Sequence, residues 1–141
     1  MDNAKIRLVK SRLTKADHDL GSAKILLEQT PPYLDTAIYH CQQAAEKALK
    51  AFLTHNDISF EKTHNLSSLL ALCESIHPNC RDYYEEAETL TPYATAFRYP
   101  SEFFEEELEV EQVDQALDYA TKVYEFVKTN LPPETHPSRS G

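Results

Sequence analysis

Ile6, Val9, Leu13, Ala16, Leu20, Ala23 and Leu27 recur at alternating steps of three and four, a spacing that lines up on one face of a long helix. Ile38, Cys41, Ala45, Ala48 and Phe52 draw a second such stripe, and Val110, Val113, Leu117, Ala120, Tyr124 and Val127 a third. No stretch alternates long enough for a sheet strand, and the 141 residues include only two glycines, Gly21 and Gly141. Sheet-rich folds draw on glycine for their turns, so the spacing predicts an all-α, up-and-down helical bundle.

Local signals complete a count of about five helices. Pro31-Pro32 is expected to stop the first helix, and Asp35 to cap the second. Asn65 is expected to cap a short third helix through Leu66, Leu69, Leu70 and Cys73, which Pro78 and Asn79 end. A fourth stretch starts near Asp82, is interrupted at Pro92 and stops at Pro100. Gly21 marks a weak point in the first helix or a place where another helix packs closely. Residues 1–131 read as one helical domain. Residues 132–141, polar and proline-rich, read as a disordered tail.

The net charge is −9, which argues against broad, sequence-independent nucleic-acid binding. No apolar run approaches a membrane span and no signal peptide is apparent. Cys41, Cys73 and Cys80 then read as reduced thiols of a cytoplasmic protein. Cys73, His77 and Cys80 supply three ligands with no clear fourth, so no metal is expected. No motif for a cofactor is present.

Two places concentrate chemistry. On the second helix, His40, Gln43, Lys47, Lys50 and Thr54 fall together on the polar side, a strip that can meet an anion or a partner protein. Gln42 falls at the apolar edge and must find hydrogen-bond partners on a neighbouring element or in a subunit interface. Arg98 is the only Lys or Arg between Asp82 and Thr121, set between Phe97 and Tyr99. A guanidinium so placed binds a phosphate or carboxylate at two points, or pairs with a nearby glutamate.

Tyr39-His-Cys-Gln-Gln-Ala-Ala-Glu-Lys-Ala-Leu-Lys50, Lys62-Thr-His-Asn-Leu-Ser-Ser-Leu-Leu70 and Tyr93-Ala-Thr-Ala-Phe-Arg-Tyr-Pro100 together resemble the HEPN domain family (higher eukaryotes and prokaryotes nucleotide-binding). The resemblance spans roughly residues 3 to 130. It implies a helical bundle, homodimerisation through long helices, and a minimal nucleotidyltransferase as partner, in a toxin–antitoxin or stress-related pair. Catalytic members resemble one another in an arginine followed after four to six residues by a histidine, a metal-independent site for RNA cleavage. Arg98 matches the arginine, but Phe103, Phe104 and Glu105 stand where the histidine belongs. Arg12 and His18 have the spacing, but six residues of helix turn them about 240° apart. The resemblance therefore implies a non-catalytic module that binds a nucleotide or other anion through Arg98, Tyr99, His40, Gln43, Lys47 and His64. The alternative is a divergent endoribonuclease that acts on RNA through Arg98 with His64 or His40.

Overall fold

The computed structural model describes residues 3–96 and 107–138, which form five α-helices, three short 3-10 turns and no strand. The all-α expectation holds. Helix α1 (Asn3–Leu27) runs antiparallel to α2 (Leu34–His55), with Lys5 at the start of one meeting Asp57 beyond the end of the other. Val9, Leu13, Ala16, Leu20 and Ala23 are buried as the stripe predicts, while Ile6 and Leu27 sit at its half-exposed ends. α1 ends at Leu27, four residues before Pro31, because a residue preceding proline is pushed out of helical geometry and the turn before it unwinds.

Helix α2 is the central element, flanked by α1, α5 and α3. Ala37, Ala44, Ala45, Ala48 and Ala51 are all buried, and their small side chains let helices approach on several sides. Ile38, Leu49, Phe52 and Leu53 fill the spaces between. Truncating one of these to alanine costs about 2–5 kcal/mol. Asp35 is not the cap: the Ala37 amide bonds to the Tyr33 carbonyl, so the helix has begun before Asp35, whose carboxylate accepts the Thr36 amide in the first turn.

Asn65 does cap α3 (Leu66–Glu74), its Oδ1 accepting the Ser68 amide at 3.1 Å. The expected fourth stretch begins earlier than Asp82. A 3-10 turn over Pro78–Tyr83 leads into α4 (Tyr84–Leu90), and a second over Thr91–Ala94 follows. Pro92 lies in the first turn of that 3-10 segment, where its missing N–H is no loss. α5 (Val110–Thr129) packs on α2 and buries Val113, Ala116, Ala120, Val123, Tyr124 and Val127. Its buried face is rotated slightly from the predicted stripe, leaving Val110 exposed and Leu117 half-buried.

The disordered tail is a correction for residues 132–138. Pro133–Thr135 form a 3-10 turn against α1, Thr135 is fully buried, and His136 Nε2–H donates to the Lys128 carbonyl at 2.8 Å. Polar composition concealed this, because a threonine that bonds its own turn, 2.6 Å from Oγ1 to the Pro132 carbonyl, can be buried without penalty. Residues 139–141 lie outside the described residues.

Candidate functional site

The polar strip of α2 rests on two buried carboxylates. Asp19 of α1 is only 7% exposed. Its Oδ1 accepts from His40 Nδ1 at 2.7 Å, and its Oδ2 from Lys47 Nζ at 2.6 Å. An ionised carboxylate only accepts, so the proton of neutral His40 sits on Nδ1 and Nε2 is left as the acceptor. The antiparallel seam makes this meeting possible: His40 and Lys47 lie two turns apart on α2 and reach the same α1 residue.

Glu46, 5% exposed, does the same on another side of α2. Its Oε1 accepts from His64 Nδ1 at 2.7 Å and from Gln42 Nε2 at 3.1 Å, and its Oε2 from Lys50 Nζ at 3.1 Å. Burial pushes the Glu46 carboxyl up, but the hydrogen bonds from Gln42, His64 and Lys50, with the charge of Lys50, outweigh it and hold the group below its ordinary range. Gln42 is fully buried and also donates to the His64 carbonyl at 3.3 Å, while its own Oε1 accepts from Gln43 Nε2 at 2.6 Å. The partners it needed are in its own helix and in the loop before α3.

This geometry corrects the reading of the strip as a set of available cations. Lys47 and His40 are committed to Asp19, and Lys50 and His64 to Glu46. His40 and His64 do not converge, since His40 faces α1 whereas Glu46, which holds His64, is turned about 240° around the helix. Arg98 and Tyr99 lie outside the described residues. Arg12 and His18 are indeed apart: Arg12 stacks on Phe60, and His18 is exposed.

The thiols are placed away from solvent. Burial, with the nearby Asp19 charge, pushes Cys41 up to about 12, and burial likewise raises Cys73 and Cys80. His77 accepts the Asn79 amide on Nδ1 and bonds Asn130 through Nε2, so both its nitrogens are used within the fold. No group of three or more His, Cys, Asp or Glu side chains among the described residues is placed to hold a metal ion.

Sequence reasoning missed both carboxylates, although each left a signal. Asp19 stands three residues after Ala16 and four before Ala23, inside the apolar stripe of α1. Glu46 stands four after Gln42 at the apolar edge of α2.

A strand-free bundle whose central helix carries two charge-compensated polar clusters defines a small all-α domain with a built polar face. The model of the HEPN domain matches residues 9–130, and the chain belongs to that family. The protein named "Putative toxin MJ1304" from Methanocaldococcus jannaschii is 31% identical over 139 residues, covering 89% of this chain and 90% of that protein. The crystal structure of ST0689, an archaeal HEPN homologue, superposes with a TM-score of 0.70 at 26% identity, covering 86% of this chain and 96% of that one.

Proposed function

We propose that this chain is the HEPN component of a toxin–antitoxin-type pair, a module that forms a homodimer, docks a minimal nucleotidyltransferase in the cytoplasm and holds a nucleotide or other anion. The observation that carries this reading is the similarity, over nine-tenths of both chains, to the relative named "Putative toxin MJ1304". The polar face of α2 supports it physically. Its side chains are ordered by buried carboxylates, and a pre-ordered surface loses little entropy on binding. No helix among the described residues is long and apolar enough to cross a membrane.

The surface that supports self-association is a groove of about 370 Å³ between α1 and α5, lined by Leu20, Gly21, Lys24, Leu117 and Tyr124. A Cβ at Gly21 would meet nothing within 4 Å among the described residues, so packing among them does not require the glycine. The test is induced expression in a bacterial host, alone and with a minimal nucleotidyltransferase from the same source, followed by light scattering of the purified proteins. Growth arrest relieved by the partner, and a complex of the two, support the proposal. Unimpaired growth together with two separate monomers rejects it.

The second reading, a divergent endoribonuclease, has one observation in its favour: His40 turns Nδ1 to Asp19 at 2.7 Å and Nε2 away from it, the orientation of a carboxylate-held general base. RNA cleavage abolished by His40→Ala or Arg98→Ala supports that reading, and an inactive purified protein removes it.

A further inference from the structure

Phe60, in the segment between α2 and α3, carries two cations on its ring. The Arg12 guanidinium carbon lies 5.8 Å from the ring centre and Lys50 Nζ 5.7 Å, one reaching from α1 and the other from α2. The other cations bonded along this seam each have a carboxylate: Lys5 has Asp57 at 3.2 Å, Lys47 has Asp19 and Lys50 has Glu46. Arg12 differs. It makes no ion pair or hydrogen bond among the described residues, and its Nε is buried against its surroundings with no acceptor. A buried donor without a partner needs an explanation. The aromatic ring supplies part of it, since a π face can hold a guanidinium through its charge.

The consequence is chemical. A carboxylate would have consumed the N–H donors of Arg12 and cancelled its charge, whereas a ring does neither. Arg12 as a whole is partly exposed, although its Nε is not. Arg12, Lys50 and Glu46 together leave one net positive charge, in a protein whose formal charge is −9. We propose that Arg12, held against the Phe60 ring, binds a phosphate-class oxyanion, either inorganic phosphate or the phosphate group of a nucleotide. The planar guanidinium of Arg12 offers the two-point contact, and Phe60 fixes the direction in which it presents its donors, while Lys50 on the same ring stays paired with Glu46 at 3.1 Å. The site is distinct from the His40–Lys47 strip, whose charges Asp19 absorbs. It refines the anion-binding part of the reading above and does not depend on dimerisation or on a nucleotidyltransferase.

The experiment is titration calorimetry and thermal shift with inorganic phosphate and with AMP, at constant ionic strength set by sodium chloride. The parent, Arg12→Gln, Arg12→Lys, Phe60→Leu and Arg98→Ala are compared. Phosphate should raise the parent's melting temperature above the chloride control. Arg12→Gln should weaken phosphate binding roughly tenfold or more, as loss of a charge-assisted contact does. Arg12→Lys should retain part of the affinity, and Phe60→Leu should weaken it. Binding of both probes with the same Arg12 dependence assigns the site to the phosphate group itself. Arg12-dependent binding of AMP alone assigns it to nucleotides, and of phosphate alone to the free anion. A parent that responds to neither probe, an Arg12→Gln variant that binds like the parent, or a loss confined to Arg98→Ala overturns the proposal. Should Arg12→Gln fail to fold, Arg12→Lys decides, and phosphate affinity equal to the parent's in that variant overturns it. Failure here leaves the complex with the nucleotidyltransferase, measured separately by light scattering, untouched.

Discussion

Lys47 Nζ lies 2.6 Å from Asp19 Oδ2, a contact between the middle of α2 and a carboxylate buried in the apolar face of α1. With His40 on the other oxygen, Asp19 ties the two longest helices together at one point and sets how far one can slide along the other.

Removing that carboxylate therefore leaves two donors with no acceptor. Asp19→Ala is expected to cost about 2–3 kcal/mol, below the full cost of breaking a buried pair because His40 and Lys47 are each about a third exposed. Urea denaturation of Asp19→Ala and Lys47→Met would check this. The lysine variant, which keeps the His40 contact, should lose less. Equal stability of Asp19→Ala and parent would show that the pair contributes nothing.

Glu46 sets a pH dependence. Its carboxyl is held below its ordinary range in the folded protein, so the folded state prefers the ionised form. The resulting stability is fully present above about pH 4.5 and is lost as pH falls through the lowered folded value. Glu46→Gln should be less stable than the parent at pH 7, with the gap closing below pH 4.5. Melting curves from pH 7 to pH 3 decide it, and a gap that widens in acid contradicts the assignment.

Gly21 separates folding from association. Alanine in a helix interior is favoured over glycine by roughly 0.8–1 kcal/mol, and a Cβ here meets nothing within 4 Å among the described residues. Gly21→Ala should raise the melting temperature. Gly21→Gln, which fills the α1–α5 groove, should keep the monomer folded and weaken self-association in sedimentation runs. Dimerisation unaffected by Gly21→Gln would place the contact elsewhere.

The two ends of the groove should differ in sensitivity. Leu20 is buried and Leu117 only half-buried. Leu20→Asp is expected to cost several kcal/mol and Leu117→Asp about 1–2 kcal/mol, because only the first desolvates the new charge. Chemical denaturation of both variants gives the order directly.

The C-terminal turn carries weight despite its composition. Deleting residues 133–141 removes Thr135 from its site against α1 and the His136 bond to the end of α5, and should lower stability by about 1–2 kcal/mol. A truncated protein as stable as the parent would return this segment to the status of a dispensable tail.

Periodicity along the chain was enough for the helices. The three-four spacing of Val9, Leu13, Ala16, Leu20 and Ala23 names the buried face of α1 because each turn of an α-helix repeats the same geometry. Asn65 announced its own cap for the same reason, since a cap involves only the next few amides. Asp35 failed as a cap, and α5 turned slightly from its stripe, where packing against a neighbour outweighed a local preference. The polar face of α2 could be read from its spacing, but not the partners that its side chains take. Asp19 meets His40 twenty-one residues away and Glu46 meets His64 eighteen away, and Arg12 reaches Phe60 from another helix. Such pairs depend on the register of one helix against the next, which no single stretch of sequence encodes. Burial then decides what they do. The same lysine is a free cation on a wet surface and a committed ion-pair partner above a desolvated carboxylate, and only the packed structure distinguishes the two.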